Sequence, residues 1–184
     1  MTDTVTLPRL ITVAGIGCVA ISLTILSWPA SAFAALLAVV CAIIAHIDLD
    51  RFIIPDTANL AILGLGLTDT VLRAGAGGAM TALGDSVLRC LAAGGVVWLT
   101  GFIYRRAAGR DGLGFGDVKL AAAAGACLGW DMLPLALQLA VVLALLAIGC
   151  VALASRKMPD RHAALPFGAF LAPAIWAAFV LQRW

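Results

Sequence analysis

Glutamate is absent from this chain of 184 residues, in which all ten acidic residues are aspartate. Charge of either sign is scarce, since Asp, Glu, Lys and Arg together make up 12% of the chain and the net charge is only +2 at pH 7. A positive charge this small and scattered argues against nucleic acid as a partner. Because aspartate has a short side chain, every carboxylate is held near its own backbone.

The chain also lacks the residue spacings that bind metals. No two cysteines have CxxC spacing, and all five lie inside apolar runs, at Cys18, Cys41, Cys90, Cys127 and Cys150. We interpret them as small buried side chains and expect neither metal nor disulfide nor any other cofactor. The two histidines are isolated: we expect a structural role for His46 and a solvated basic loop around His162.

Apolar residues are abundant instead. They make up 63% of the chain and give a mean hydropathy of +1.07, which is typical of an integral membrane protein. We predict an all-α, polytopic protein with a single domain over residues 1–184 and a retained N-terminal membrane helix. The apolar stretches predict seven segments, at residues 10–28, 31–48, 57–73, 86–104, 117–130, 132–154 and 166–182.

The basic residues predict the orientation of these segments, because Lys and Arg collect on the cytoplasmic side of a membrane. If the N-terminus is inside, nine of the twelve basic residues are cytoplasmic: Arg9, Arg51, Arg105, Arg106, Arg110, Lys119, Arg156, Lys157 and Arg161. This orientation places the end of the second segment and the start of the fifth on the same, cytoplasmic, face.

A carboxylate begins the fifth segment. Asp117 follows three alternating glycines, Gly112, Gly114 and Gly116, and precedes Lys119. Glycines let a second backbone approach closely, as a substrate strand beside a reactive group must. The dipole of the helix favours negative charge at this end, so a purely capping aspartate is the alternative.

A second acidic group ends the second segment, where Asp48, Asp50 and Asp56 lie within nine residues. Acids at membrane depth are costly and often mark a functional site. Asp48 is the deepest of the three, and Asp50 points away from it because residues two apart do not share a helix face. Asp56 follows Pro55, an arrangement typical of a helix start.

Together these residues resemble the prepilin peptidase family. The resemblance lies in Asp48 with Ile54-Pro55-Asp56, then Gly114-Phe115-Gly116-Asp117-Val118-Lys119, and finally Leu165-Pro166-Phe167-Gly168. It implies a GxGD intramembrane aspartic protease of the bacterial inner membrane, which cleaves the leader from prepilin or pseudopilin precursors at the cytoplasmic face.

The resemblance implies that Asp48 and Asp117 are catalytic, with Gly114, Gly116, Lys119, Pro166 and Gly168 binding substrate or shaping loops. Bifunctional members of the family insert a cysteine-bearing domain between the first two helices and also methylate the product. Only Trp28-Pro29-Ala30-Ser31 lies there in this chain, which predicts a short, cleavage-only form. A further departure is Ala169, where the family often has proline.

Two neighbouring carboxylates cannot both ionise cheaply, so they share one proton. The ionised member takes a proton from a water, and the protonated member hydrogen-bonds the scissile carbonyl. The sequence leaves open which aspartate is the base. The alternatives are a proton-coupled transporter subunit that uses intramembrane aspartates and a structural membrane subunit without chemistry.

Overall fold

The computed structural model describes residues 6–109, 112–155 and 165–184. Within these ranges the chain is helical and has no strand. It forms six helices: α1 (Thr6–Ile25), α2 (Ala30–Arg51), α3 (Asp56–Ala108), α4 (Phe115–Cys127), α5 (Met132–Ser155) and α6 (Gly168–Arg183). His162 and the basic loop around it lie outside the described residues, as do Arg110, Arg156, Lys157 and Arg161.

The helix count differs from the seven predicted segments because the third and fourth segments belong to one element. α3 is 53 residues long and departs from helical geometry only at Gly75, where φ is 65° and ψ is 178°. Glycine adopts this backbone conformation without the penalty that a β-carbon would bring. The two predicted segments are therefore separated by a one-residue break, which divides α3 into two legs at residues 56–74 and 76–108.

α4 packs against both legs of α3, and glycines set the contact on each side. A β-carbon on Gly66 of the first leg would lie 2.6 Å from the backbone carbon of Ala126. A β-carbon on Gly125 of α4 would lie 2.5 Å from the backbone nitrogen of Cys90 in the second leg. Helix backbones can approach this closely only where side chains are missing. The 13 residues of α4 are thus held inside the bundle.

The core lies mainly along α4 and α6. Leu120 of α4 and Leu171 and Ile175 of α6 are buried, while α6 packs on α2, α4 and α5. α5 instead leaves large apolar side chains exposed, among them Leu145 at 62%. An apolar outer surface of this kind suits lipid and not water.

Three described helical stretches are long and apolar enough to cross a membrane: Ala30–Arg51, Asp56–Ala108 and Met132–Leu153. Two shorter apolar helical stretches, Arg9–Ile25 and Gly168–Arg183, accompany them. The membrane character predicted from composition is therefore supported by helices of suitable length. α4 begins at Phe115 and ends at Cys127, so the prediction of a helix over 117–130 was wrong at both ends.

Candidate active site

Asp48 lies in the last turn of α2, with only 4% of its surface exposed. Phe52 caps the helix: its N–H donates to the carbonyl of Asp48 at 2.9 Å, and its left-handed backbone (φ 55°) then turns the chain out of the helix. Positive φ is uncommon for a bulky residue. The turn at Phe52 leaves a short connection to α3, within which Ile54 is buried.

Asp117 lies in the first turn of α4 and is 8% exposed. Gly114 precedes the helix, and its N–H donates to the Asp117 carboxylate at 3.2 Å. In return, the N–H of Asp117 donates to the Gly114 carbonyl at 3.1 Å. These reciprocal bonds satisfy backbone groups that a helix start leaves unpaired. Capping and a catalytic role are therefore compatible for this aspartate.

The start of α6 approaches Asp48 from a third direction. The N–H of Ala169 donates to Asp48 Oδ2 at 2.8 Å, in a buried position. A β-carbon on Gly168 would lie 3.0 Å from the same oxygen and 2.6 Å from Ile54 Cδ1. Pro166 belongs to the turn into the helix, where its carbonyl accepts from the Ala169 N–H at 3.2 Å. Gly168 is thus the residue that leaves room for both neighbours.

Ile54 links the two aspartates. Ile54 Cδ1 occupies the space beside Gly168. A β-carbon on Gly116 would lie 3.2 Å from Ile54 Cβ. An apolar side chain between the two loops lowers the local polarity, which strengthens electrostatic interactions there. Sequence analysis quoted Ile54 only as part of a motif and did not predict this packing role.

The charge of Asp48 acts on Asp117. Burial, followed by the negative charge of Asp48, raises the pKa of Asp117 to about 6 against the weaker opposing effect of the Gly114 N–H. Asp117 lies in the first turn of α4, before the apolar run that begins at Leu120. Within the described residues neither carboxylate has a Lys or Arg at ion-pair distance. Two buried carboxyls without a cation favour sharing one proton over ionising together.

The other predicted residues lie at the edge of this site. Lys119 Nζ contacts Asp56 Oδ1 at 2.7 Å, which joins α4 to the start of α3. It also lies 5.3 Å from the centre of the Phe115 ring. Asp50 has an exposed side chain 3.7 Å from Arg51, and His46 is exposed. The structure does not bring these two residues into the aspartate pair.

Sequence analysis missed a second buried aspartate cluster, at the opposite end of the bundle. Asp69 is 3% exposed and contacts both Arg73 and Arg183. The signal was an acid in an apolar segment with an arginine four residues later, a spacing that predicts an ion pair on one helix face. Within the described ranges, no three His, Cys or acidic side chains cluster as a metal site requires.

This arrangement, two buried carboxyls contributed by separate helices of a membrane protein, defines a candidate aspartic protease site. A comparison with protein families agrees: residues 35–149 match the type IV leader peptidase family, well over half of the chain. The chain belongs to this family. The matched range includes Asp48 and Asp117, whereas Pro166 and Gly168 lie beyond it.

Curated relatives carry the same assignment. The chain is 34% identical over 171 residues to the prepilin leader peptidase/N-methyltransferase of Aeromonas hydrophila, covering 90% of this chain and 56% of the relative. It is 36% identical to the protein of that name in Aeromonas salmonicida (strain A449), covering 82% and 51%, and to that of Pseudomonas putida, covering 72% and 43%. The chain thus spans about half the length of these relatives. No solved structure gives a significant match.

Proposed function

We propose that this protein is an aspartic endopeptidase that removes the leader peptide from prepilin-like precursors, with Asp48 and Asp117 as its catalytic pair. The observation that carries the proposal is that two buried aspartates, from α2 and α4, lie in loops that meet at Ile54 and have no cation partner in the described part of the chain. A purely structural carboxylate in a membrane protein is normally paired, because an unpaired buried charge is costly.

The reaction follows from this pair. One carboxylate accepts a proton from a water as the water attacks the scissile carbonyl, and the other carboxyl donates a hydrogen bond to the carbonyl oxygen. Membership of the leader peptidase family supports a peptide substrate. The family match offers no support for the alternative of a proton-coupled transporter.

The residues around the pair have proposed roles in substrate binding or in shaping the loops. Gly116 and Gly168 make room for Ile54 beside the pair, and a β-carbon on Gly114 would lie 3.3 Å from Asp117 Oδ2, so these glycines shape the loops that hold the aspartates. Pro166 shapes the turn that leads to Gly168. Lys119 has a side chain that is 41% exposed, so it can leave Asp56 to meet an acidic group on the substrate.

We further propose a multi-pass protein of the bacterial inner membrane that acts as one unit over residues 1–184. Seven crossings in the GxGD protease arrangement require both legs of α3 to count as spans, together with α1, α4 and α6. The positive residues support an active site on the cytoplasmic face, where a leader peptide would be presented.

Cleavage without methylation and without a metal or other cofactor is the remaining part of the proposal. α1 ends at Ile25 and α2 begins at Ala30, so only four residues join them. The purified protein should then cleave without S-adenosylmethionine and should tolerate zinc chelators. Methyl transfer to the product's new N-terminus would refute this part.

The test of the main proposal is a cleavage assay with purified protein in lipid nanodiscs and a prepilin precursor. The matched variants are Asp48→Asn and Asp69→Asn, which change equally buried aspartates at the two ends of the bundle. We expect cleavage by the wild type and by the folded fraction of Asp69→Asn, and none by Asp48→Asn. Normal cleavage by Asp48→Asn would reject the proposal.

A further inference from the structure

The two aspartates of the site differ in the helix ends that surround them. Asp48 lies in the last turn of its own helix, where the helix dipole disfavours negative charge. Asp117 lies in the first turn of α4, where the dipole favours it. From their own helices alone, Asp48 would keep the shared proton and Asp117 would be the ionised member.

A contact from α6 opposes this order. Ala169 is the second residue of α6, and its N–H donates to Asp48 Oδ2 at 2.8 Å in a buried position. The donor therefore adds both a hydrogen bond and the favourable end of a second helix dipole to the Asp48 carboxylate. The corresponding bond to Asp117 is longer, at 3.2 Å, and its donor is Gly114, which lies directly before the helix of Asp117 itself.

The other charged groups near the pair do not reverse this effect. On α2, Asp50 and Arg51 contact each other with exposed side chains. On α4, Lys119 is paired with Asp56 of α3. Within α6 the charged side chain is Arg183, about 22 Å from Gly168 along the helix axis and paired with Asp69.

We propose that the backbone N–H of Ala169 keeps Asp48 the ionised member of the pair, so that Asp48 is the general base and Asp117 the acid. Ala169 is then a positioning residue that acts through Asp48. The inference rests on the proposed peptidase function and adds an assignment of roles that the sequence left open.

The assignment gives a balanced reaction. The water oxygen bonds to the carbonyl carbon while Asp48 takes a water proton, and the Asp117 proton passes to the carbonyl oxygen. On collapse, a hydroxyl of the intermediate returns a proton to Asp117, the carbon–nitrogen bond breaks, and Asp48 gives its proton to the leaving nitrogen. Both carboxyls end in their starting protonation states.

Infrared difference spectra test the assignment without any cleavage. Spectra of the whole protein in nanodiscs, recorded above and below pH 6, should show a protonated-carboxyl band that reports Asp117. Asp117→Asn should remove this band and Asp48→Asn should keep it, moved to lower pH because the neighbouring charge is gone. A band that survives Asp117→Asn and disappears in Asp48→Asn would overturn the assignment.

The Ala169 contact is tested by Ala169→Pro, which removes the N–H at a first-turn position where helices tolerate proline. Ala169→Gly is the matched control, because it keeps the N–H. Losing the donor should move the acid limb of the kcat/KM profile upwards by about one pH unit in Ala169→Pro, while Ala169→Gly keeps the wild-type position.

An Ala169→Pro variant that loses activity equally at every pH would show a merely structural role and overturn the inference. To exclude misfolding, the infrared band is also recorded in the Ala169→Pro background. There the band should disappear when Asp48→Asn is added and survive when Asp117→Asn is added. If the wild type cleaves no precursor, the proposed function fails, while the infrared result still decides which aspartate holds the proton.

Discussion

Two ends of one helix bundle bury aspartates to nearly the same degree and treat them differently. Asp48 and Asp117 are 4% and 8% exposed, and Asp69 at the opposite end is 3% exposed. Asp69 forms ion pairs with two arginines, Arg73 and Arg183. The pair at the other end receives backbone N–H groups and, within the described residues, no cation.

Under the proposed function, this difference separates a structural carboxylate, Asp69, from a reactive pair. Ion pairing keeps an aspartate charged and inert, because its lone pairs are occupied by fixed donors. A carboxyl supported only by backbone dipoles can gain and lose a proton near physiological pH, as the raised pKa of Asp117 indicates. Burial alone does not distinguish these aspartates; the type of partner does, and our proposal of a catalytic pair rests on it.

The largest expected effect comes from the unpaired end. Asp48→Asn and Asp117→Asn should each lower kcat/KM for precursor cleavage by several orders of magnitude, because the amide cannot exchange the proton. The double variant should cost little more than either single one, since residues that act as a unit are non-additive. The measurement is single-turnover cleavage at equal amounts of membrane-inserted protein.

Asp50→Asn and Asp56→Asn are the controls for that series. Both side chains are largely exposed, so each change should cost about 1 kcal/mol or less. Abolished cleavage in Asp50→Asn, together with normal cleavage in Asp48→Asn, would show that the wrong carboxylate has been assigned.

The paired end should respond through stability. Asp69→Asn leaves the arginines without their carboxylate, and breaking a buried ion pair costs about 3–5 kcal/mol. We expect a lower unfolding temperature in detergent and unchanged cleavage per folded molecule. A stable Asp69→Asn protein that cannot cleave would erase the distinction between the two ends.

Close packing at the unpaired end gives a third prediction. Gly168→Ala places a β-carbon against Asp48 Oδ2 and Ile54, so either the carboxylate or the isoleucine must move. A displacement of about 1 Å can cost about a hundredfold in kcat. Gly95→Ala is the matched control, because a β-carbon at that helical position meets open space. Equal activity of the two variants would show that the contact at Gly168 does not position Asp48.

The smallest effect concerns the exposed pair at the rim of the site. If Lys119 only pairs with Asp56, then Lys119→Gln and Asp56→Asn should weaken stability equally, by about 1 kcal/mol or less. If Lys119 also meets the substrate, Lys119→Gln alone should raise KM. Steady-state kinetics on both variants distinguish these roles.

Topology can be checked by labelling. Cysteine substitutions at Arg51 and Arg105, in a background without native cysteines, should resist a membrane-impermeant thiol reagent applied to the outer face of intact cells. Ready labelling there would invert the orientation and separate the site from cytoplasmic leaders.

The sequence by itself determined the membrane environment, the helical class, the family and the two aspartates to consider. These depend on composition and local spacing, which hydropathy and short motifs report directly. The helix around Asp48 and the glycines before Asp117 are local features of this kind. The exposure of Asp50 also followed from helical spacing alone.

Only the tertiary structure decided what surrounds each carboxylate. The Ala169 N–H lies 121 residues from Asp48 along the chain, and Lys119 lies 63 residues from Asp56. The two legs of α3 on either side of Gly75 likewise both pack against α4. Such contacts arise from the way whole helices pack, and no periodicity within one segment encodes them. The type of partner that each buried aspartate meets, an arginine or a backbone N–H, is therefore a property of the fold.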